Sequence, residues 1–563
     1  MIGVVAVTKA GRHQGRLLAA AWPDVRMYEG SAAQALPAAF AECAGVVAFL
    51  ATGAVVRILA PLLGDKTAEP GVVVVDEGGR HAIALVGGHE GGANELTRRV
   101  AALLGCEPVV TTASDAVRGS VLASFGAEFG LRLDHAGSDV AAVSRALLEG
   151  EPMLVLREQP WPIPALPSAA QAAHAIVVTD SAVVAKSQPT VVFRPPSLVV
   201  GIGASSNASA DEILALVDES LAAAGFSPLS VTAVASVDAK SEEPGLLAAA
   251  RSRGWQLRFF TAAQLAAVDV PHPSEVVRAA VGTPSVAEAA ALLAAGPGAT
   301  LFGKRKSAMA TAAVARRRPR GRLAVVGLGP GARDLLAPRA VRELQLAAVV
   351  VGLDQYVEQV RDLLRPGTRI LATALGDEQA RAQSAVAEAA AGNAVALIGS
   401  GDAGVYAMAS PALECAGDEV DVVVVPGITA LLAAAAAIGG APIGNDHCAI
   451  SLSDLNTPWD VIERRIRAAA EGDFVVGFYN PRSTKRDWQL PKALAILAEH
   501  RPADTPVAVV THASRPAETV VQTTLAQFDC EIVGMFSLVL VGSSQSRYVA
   551  GRLVTPRGYP WAP

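Results

Sequence analysis

After residue 320 the chain presents six turns that mix glycine with polar side chains, each following a run of Val, Ile or Leu. They are GLGPG at 327–331, GSGDAGVY at 399–406, PGITA at 426–430, SLSDLNTPW at 451–459, YNPRS at 479–483 and THASRPAE at 511–518. Glycine lets a backbone approach a ligand closely, because it has no Cβ and tolerates positive φ. Ligands of open α/β sheets sit outside the carboxyl ends of the strands, so the six turns are expected to line one cleft. The first turn, Gly327-x-Gly329-x-x-Ala332, also fits a dinucleotide fingerprint, with Asp354 as a ribose acceptor. An NAD-dependent oxidoreductase is therefore one reading, although Pro330 removes an N–H where a phosphate wants donors. Asp402 and Asp454 fit helix N-caps as well as ligand contacts. His447 alone fits a satisfied polar residue, and Arg515 fits a pair with Glu518.

A second concentration of polar residues lies at 51–115, where Thr52, Arg57, Lys66, Asp76, His89, Glu90, Asn94, Glu95 and Asp115 stand at turns. In GGHEGGANEL, glycines flank His89 and Glu90 on both sides. That fits a backbone closing on an anion at a helix N-terminus, and equally a Gly-rich turn with a solvated His. Metal binding fits poorly: His89 has no second His four residues on, and no Cys is near.

These turns need strands and helices to position them. A Val/Ile run, a Gly-containing turn and an Ala-rich stretch recur along the chain. Continuous apolar runs mark parallel strands covered on both faces. The expected class is α/β, with several α/β domains. Val422–Ile443, the most apolar stretch, contains Pro426 and Gly427 and reads as strand–turn–helix, not a membrane span. The Pro-rich stretch Gln159–Ala170 reads as an extended loop. The basic run Arg316–Arg322 reads as a solvated linker with a domain boundary beside it, and another boundary is expected near Pro195–Pro196.

Composition narrows the function classes. Of 563 residues 51% are hydrophobic and 18% charged, so the chain can bury several cores. Aromatics are 4%, which leaves Ala, Val and Leu to fill those cores. A net charge of −6 argues against nucleic acid, whose affinity rests on a basic excess. Five scattered cysteines make neither a disulfide framework nor a zinc site and fit a reducing, cytoplasmic setting. The N-terminus MIGVVAVTKAG lacks signal-peptide features.

Taken together, the six turns resemble the class III tetrapyrrole methyltransferases, specifically the precorrin-3B C17-methyltransferase branch. GLGPG, GSGDAGVYAM, PGITA, GNDHCAISLSDLNTPWDVIERR at 444–465 and FYNPRS carry the resemblance. It implies two lobes over 322–563 with S-adenosyl-L-methionine between them. It implies that Gly401, Asp402, Gly404, Val405, Tyr406, Thr429 and Ala430 hold this cofactor, with Tyr479 near it. The tetrapyrrole would lie over Gly329, Pro330 and Gly331, with Ser453, Asp454, Arg482 and Arg515 as further contacts. Methyl transfer rests on positioning. Ring contraction needs a proton transfer, for which Asp446, His447 and Glu518 are the candidates. A homodimer through this half is expected.

Residues 1–318 resemble the cobalt-precorrin-5A hydrolase family through the 51–115 stretch, VVGIGASS at 199–206, AVASVDAKSEEPGL at 233–246 and PSEVVRAAVGTPSVAEAAALLAAG at 273–296. Ala204-Ser205-Ser206 stands where that family usually has a Cys–Arg pair. The family's reaction opens a δ-lactone and expels acetaldehyde. By residue type, His89 and Glu95 are the acid–base candidates and Lys66 and Arg57 their cationic partners, with Asp238 and Lys240 closing the site. A non-catalytic tetrapyrrole-binding role is the alternative for this half. The expected domains are 1–195, 196–318 and 322–563.

Overall fold

The computed structural model describes residues 1–64, 69–88, 91–111, 122, 125–373, 376–483 and 486–559. It is α/β throughout and divides into two compact units, residues 1–121 with 147–149, and the remainder. The first unit holds a six-stranded sheet in the order Val25–Tyr28, Ile2–Ala6, Gly45–Phe49, Gly71–Val75, His81–Val86, Glu107–Val109. Its central strands are buried along their whole length, as their unbroken Val runs require.

The second unit carries five sheets, the last a two-stranded antiparallel ribbon of Arg547–Val549 and Arg552–Val554. Residues 132–194 form a four-stranded sheet, and 198–316 a five-stranded one with Leu198–Ala204 between Val231–Val237 and Ala310–Arg316. Strands 198–204, 231–237 and 256–260 are parallel; Ala310–Arg316 runs against Leu198–Ala204, and Thr300–Lys306 runs against Ala310–Arg316 in turn. The fourth sheet, 321–425, is wholly parallel, in the order 369–373, 349–353, 394–399, 321–327, 420–425. The fifth, 447–541, is mixed: His447–Ser451 is parallel to Val475–Tyr479, and Ser537–Val541 runs against both Val475–Tyr479 and Pro506–Thr511. The apolar stretch at 422–443 is the end of strand Val420–Val425, a turn, and helix Ala430–Ala437. Among the described residues no helix is long and apolar enough to cross a membrane.

Two seams differ from expectation. The Pro-rich loop is extended, but Trp161, Ile163, Ala165 and Leu166 are buried. Arg157 beside it donates to the Gly392 carbonyl at 2.8 Å, 235 residues away. The Arg316–Arg322 run is no solvated linker either. Arg316 holds the fully buried Asp180 through Nε at 2.9 Å and Nη2 at 2.8 Å. Arg322 Nη2 reaches both oxygens of buried Glu343 at 2.8 Å. A buried carboxylate without a cation would be costly, so the basic run sits where two carboxylates went under.

Candidate active site

The carboxyl ends of the fourth sheet meet through glycines. Gly329 and Gly401 exchange backbone hydrogen bonds at 3.0 and 2.7 Å, so the first two turns are zipped together. A Cβ on Gly427 would collide with the Gly401 carbonyl oxygen and lie 2.8 Å from the Gly327 carbonyl carbon. Three turns thus cross backbone to backbone at a point where no side chain fits. Asp402 is the strap: Oδ1 accepts from the Gly404 amide at 2.8 Å and Oδ2 from the Gly427 amide at 3.0 Å. It is not a helix N-cap, because the next helix begins only at Ala409.

The fifth sheet closes the other side. Tyr479, ending its strand, accepts from the Leu431 amide at 3.0 Å and shares a 2.6 Å hydrogen bond with Thr429 Oγ1. Its ring lies 5.1 Å from that of Tyr406. Tyr406 donates to the Ala449 carbonyl at 2.9 Å. Burial pushes its phenol above the usual range, so it stays a donor. Arg515 reaches across from the sixth turn, lies over Gly331, and donates to the Pro330 carbonyl at 2.9 Å and Ser400 Oγ at 3.3 Å. Among the described residues no carboxylate pairs with it. Its charge is left for something in the cleft.

The cleft is lined by Pro330, Tyr356, Ser400–Asp402, Val405, Tyr406, Thr429, Ala430, Tyr479, Asn480, Val510, His512, Ala513, Arg515 and Met535–Leu538. Seven described non-glycine residues have positive φ, and Tyr406, Asn480, His512 and Ser514 are four of them, all at or beside this cleft. Such backbone strain gathers where a site fixes its geometry.

Of the residues expected to hold the cofactor, all but Gly404 line the cleft; Gly404 is exposed, one position away. Of the expected substrate contacts, Pro330 and Arg515 line it and Gly329 and Gly331 build its wall. The fourth turn does not line it. Asp454 accepts from Gln489 at 3.1 Å, and Ser453 from Arg486 at 3.5 Å. Arg482 is bound by both Glu531 oxygens at 2.8 and 3.0 Å and by the Cys530 carbonyl. Asp446 and His447 stand at the amino end of strand His447–Ser451, with His447 on the Asn445 carbonyl at 3.2 Å. The cleft lies at the other end, about 13 Å along a strand of that length. Glu518 accepts from the Ser514 amide at 2.5 Å and does not pair with Arg515.

His512, stacked on Phe536 at 4.9 Å between ring centroids, and Met535–Leu538 also line the cleft, outside the expected set. The antiparallel strand Ser537–Val541 brings its amino end to this edge, and an apolar MFS stretch gives no chemical signal.

In the first unit, Arg57 is exposed and donates to the Gly53 carbonyl of its own helix at 2.9 Å. Glu95 is 72% exposed in the first turn of helix Ala93–Leu104, 3.8 Å from Arg98. His89, Glu90 and Lys66 lie outside the described residues. The dinucleotide reading loses its helix: after Gly331 comes a short 3-10 turn, and the helix starts at Pro338. Among the described residues no group of three His, Cys, Asp or Glu side chains is placed to hold a metal.

A parallel sheet whose glycine turns face a mixed sheet across an open cleft, with an uncompensated arginine at its mouth, defines a two-lobed α/β enzyme for an anionic ligand. The model of the tetrapyrrole (corrin/porphyrin) methylases matches residues 322–529. Those of the cobalamin synthesis G C-terminus and N-terminal regions match 198–315 and 34–115. The chain belongs to the tetrapyrrole methylases through its C-terminal part and to the cobalamin synthesis G family through its N-terminal part. A probable cobalt-factor III C(17)-methyltransferase of Salmonella typhimurium is 45% identical over 240 residues, 42% of this chain and 99% of that protein. A precorrin-3B C(17)-methyltransferase of Sinorhizobium sp. is 40% identical over 253 residues, 43% of this chain and 98% of that protein. A cobalt-precorrin-5A hydrolase of Priestia megaterium is 34% identical over 313 residues, 52% of this chain and 83% of that protein.

Proposed function

We propose that the chain is a two-activity enzyme of corrin synthesis. Residues 322–563 methylate C17 of precorrin-3B, or its cobalt counterpart, with ring contraction. The N-terminal half opens the lactone of a cobalt-precorrin-5A-like substrate with release of acetaldehyde. Both substrates are polycarboxylates. The observation that carries the reading is Arg515, which bridges the two lobes at the cleft and has no acidic partner among the described residues.

The cleft residues fit S-adenosyl-L-methionine. The rings of Tyr406 and Tyr479 offer faces that attract a cation, and Gly401 at the crossing brings backbone into the cleft lining. When bound, this cofactor supplies a methyl group on positively charged sulfur. The protein's part is positioning: Asp402 ties the second and third turns together, and Tyr479 fixes the start of helix Ala430–Ala437. Arg515 binds a substrate carboxylate.

The test is incubation of the purified chain with S-adenosyl-L-methionine and either precorrin-3B or its cobalt counterpart, read by mass. A gain of one methyl on one of them is expected; a gain on neither overturns the reading. Binding of labelled S-adenosyl-L-methionine against NAD separates it from the dinucleotide alternative.

A further inference from the structure

The third sheet buries a carboxylate that nothing so far has used. Glu288, in the first turn of helix Ala287–Ala295, is fully buried. Its Oε2 is supplied twice, by Ser285 Oγ at 3.1 Å and by Lys304 Nζ at 3.4 Å. Ser285 also accepts from the Glu288 amide at 3.4 Å. The buried charge is therefore balanced without any further group. Yet Oε1 holds one more partner, His272 Nδ1 at 2.7 Å.

His272 is not there to fill space: its side chain is 66% exposed. A carboxylate only accepts, so Nδ1 donates to it, and in the neutral ring Nε2 is the nitrogen left with a lone pair. Nε2 has no partner among the described residues. Pro271 and Pro273 bracket the residue and restrict its backbone, and Lys304 Nζ holds its carbonyl at 3.1 Å. The pair stands at the carboxyl edge of the parallel strands, the edge where such sheets take ligands. There Gly201 of strand Leu198–Ala204 presses on the Ala287 carbonyl, with no room for a Cβ. Lys240, following the neighbouring strand, reaches Ser206 Oγ at 3.2 Å.

We propose that His272 is the general base of the lactone-opening activity and Glu288 its positioning residue. This rests on the hydrolase reading above. Nε2 takes a proton from water as the water oxygen attacks the lactone carbonyl carbon. The acyl C–O bond breaks, its electron pair leaves on the alkoxide oxygen, and the imidazolium returns the proton to that oxygen. Water is thus added across one bond. The freed hydroxyl then gives up its proton as the carbon–carbon bond holding its carbon to the macrocycle breaks; the electron pair passes to the ring and acetaldehyde departs, so no oxidant or metal is consumed.

The experiment measures acetaldehyde release by the full chain from the cobalt-precorrin-5A lactone, with H272A, H272Q, E288Q and H89A in parallel. H272A is expected to lose about 10²-fold or more, the usual scale of a general base, and added imidazole is expected to restore at least part of that through the open site. H272Q keeps a polar group towards Glu288 and is expected to lose as much without rescue. E288Q is expected to lose about tenfold or more, because the ring is no longer oriented. Turnover kept in H272A or H272Q, a loss in H272A that imidazole does not restore, or a loss confined to H89A overturns the assignment. Absence of release by the unsubstituted chain overturns the hydrolase reading, and this assignment with it.

Discussion

The cleft of the C-terminal lobes and the carboxyl edge of the third sheet arrange their groups by opposite means. In the cleft, backbone does the building: three turns cross at Gly327, Gly401 and Gly427, and one cation, Arg515, is left uncompensated. At the third sheet, side chains do the building: Glu288 is buried with Ser285, Lys304 and His272 around it. The difference follows from the tasks. A large anion is recognised by charge that the protein does not neutralise itself. A proton is moved by a group whose tautomer and direction are set from inside.

The largest effect should come from adding a methyl where only backbone fits. Gly427→Ala pushes the third turn off the first two, and a shift of about 1 Å can cost about 10²-fold in rate. Methyl transfer should fall by at least that, with weaker S-adenosyl-L-methionine binding by calorimetry. Near-normal turnover would show that the crossing is not what builds the cleft. Next comes Arg515→Met, expected to cost about 10- to 100-fold in kcat/KM for methyl transfer, the worth of one or two charge-assisted hydrogen bonds. A loss confined to kcat would move Arg515 from substrate binding to the chemical step. Tyr479→Phe removes the acceptor of the Leu431 amide. At about 1 kcal/mol for one hydrogen bond, cofactor affinity should drop about fivefold.

How far these regions could be read from residues alone depended on what sets their geometry. The α/β class and the strand-turn units were open to reading, because doubly covered strands must be apolar along their whole length. Tyr479 was findable because it ends such a run, and Thr429 and Tyr406 because they lie in the Gly-containing turns after strands Val420–Val425 and Ala394–Gly399. The GNDHCAISLSD segment misled for a specific reason: it spans a strand from end to end, so Asp446 and His447 fall on the edge away from the cleft. Arg482 misled because its partner, Glu531, is distant in sequence. His272 and Glu288 are 16 residues apart on a loop and a helix. Neither stands out by residue type: the histidine lies alone between two prolines, and the glutamate sits in an Ala-rich helix.

The smallest effect tests the charge argument most directly. Arg482 and Arg515 both follow strands of the fifth sheet, and by residue type they are equivalent. Their surroundings are not: Glu531 neutralises Arg482 through two hydrogen bonds, and that holds the guanidinium above its ordinary pKa. Exposed pairs of this kind contribute little, so Arg482→Met should leave kcat/KM for methyl transfer within about twofold. Glu531→Gln then becomes the informative partner, because it frees the Arg482 charge without removing it. If substrate affinity rises in that variant, compensation by Glu531 is what keeps Arg482 out of recognition. If Arg482→Met instead falls as far as Arg515→Met, the contrast between a neutralised and an uncompensated arginine fails.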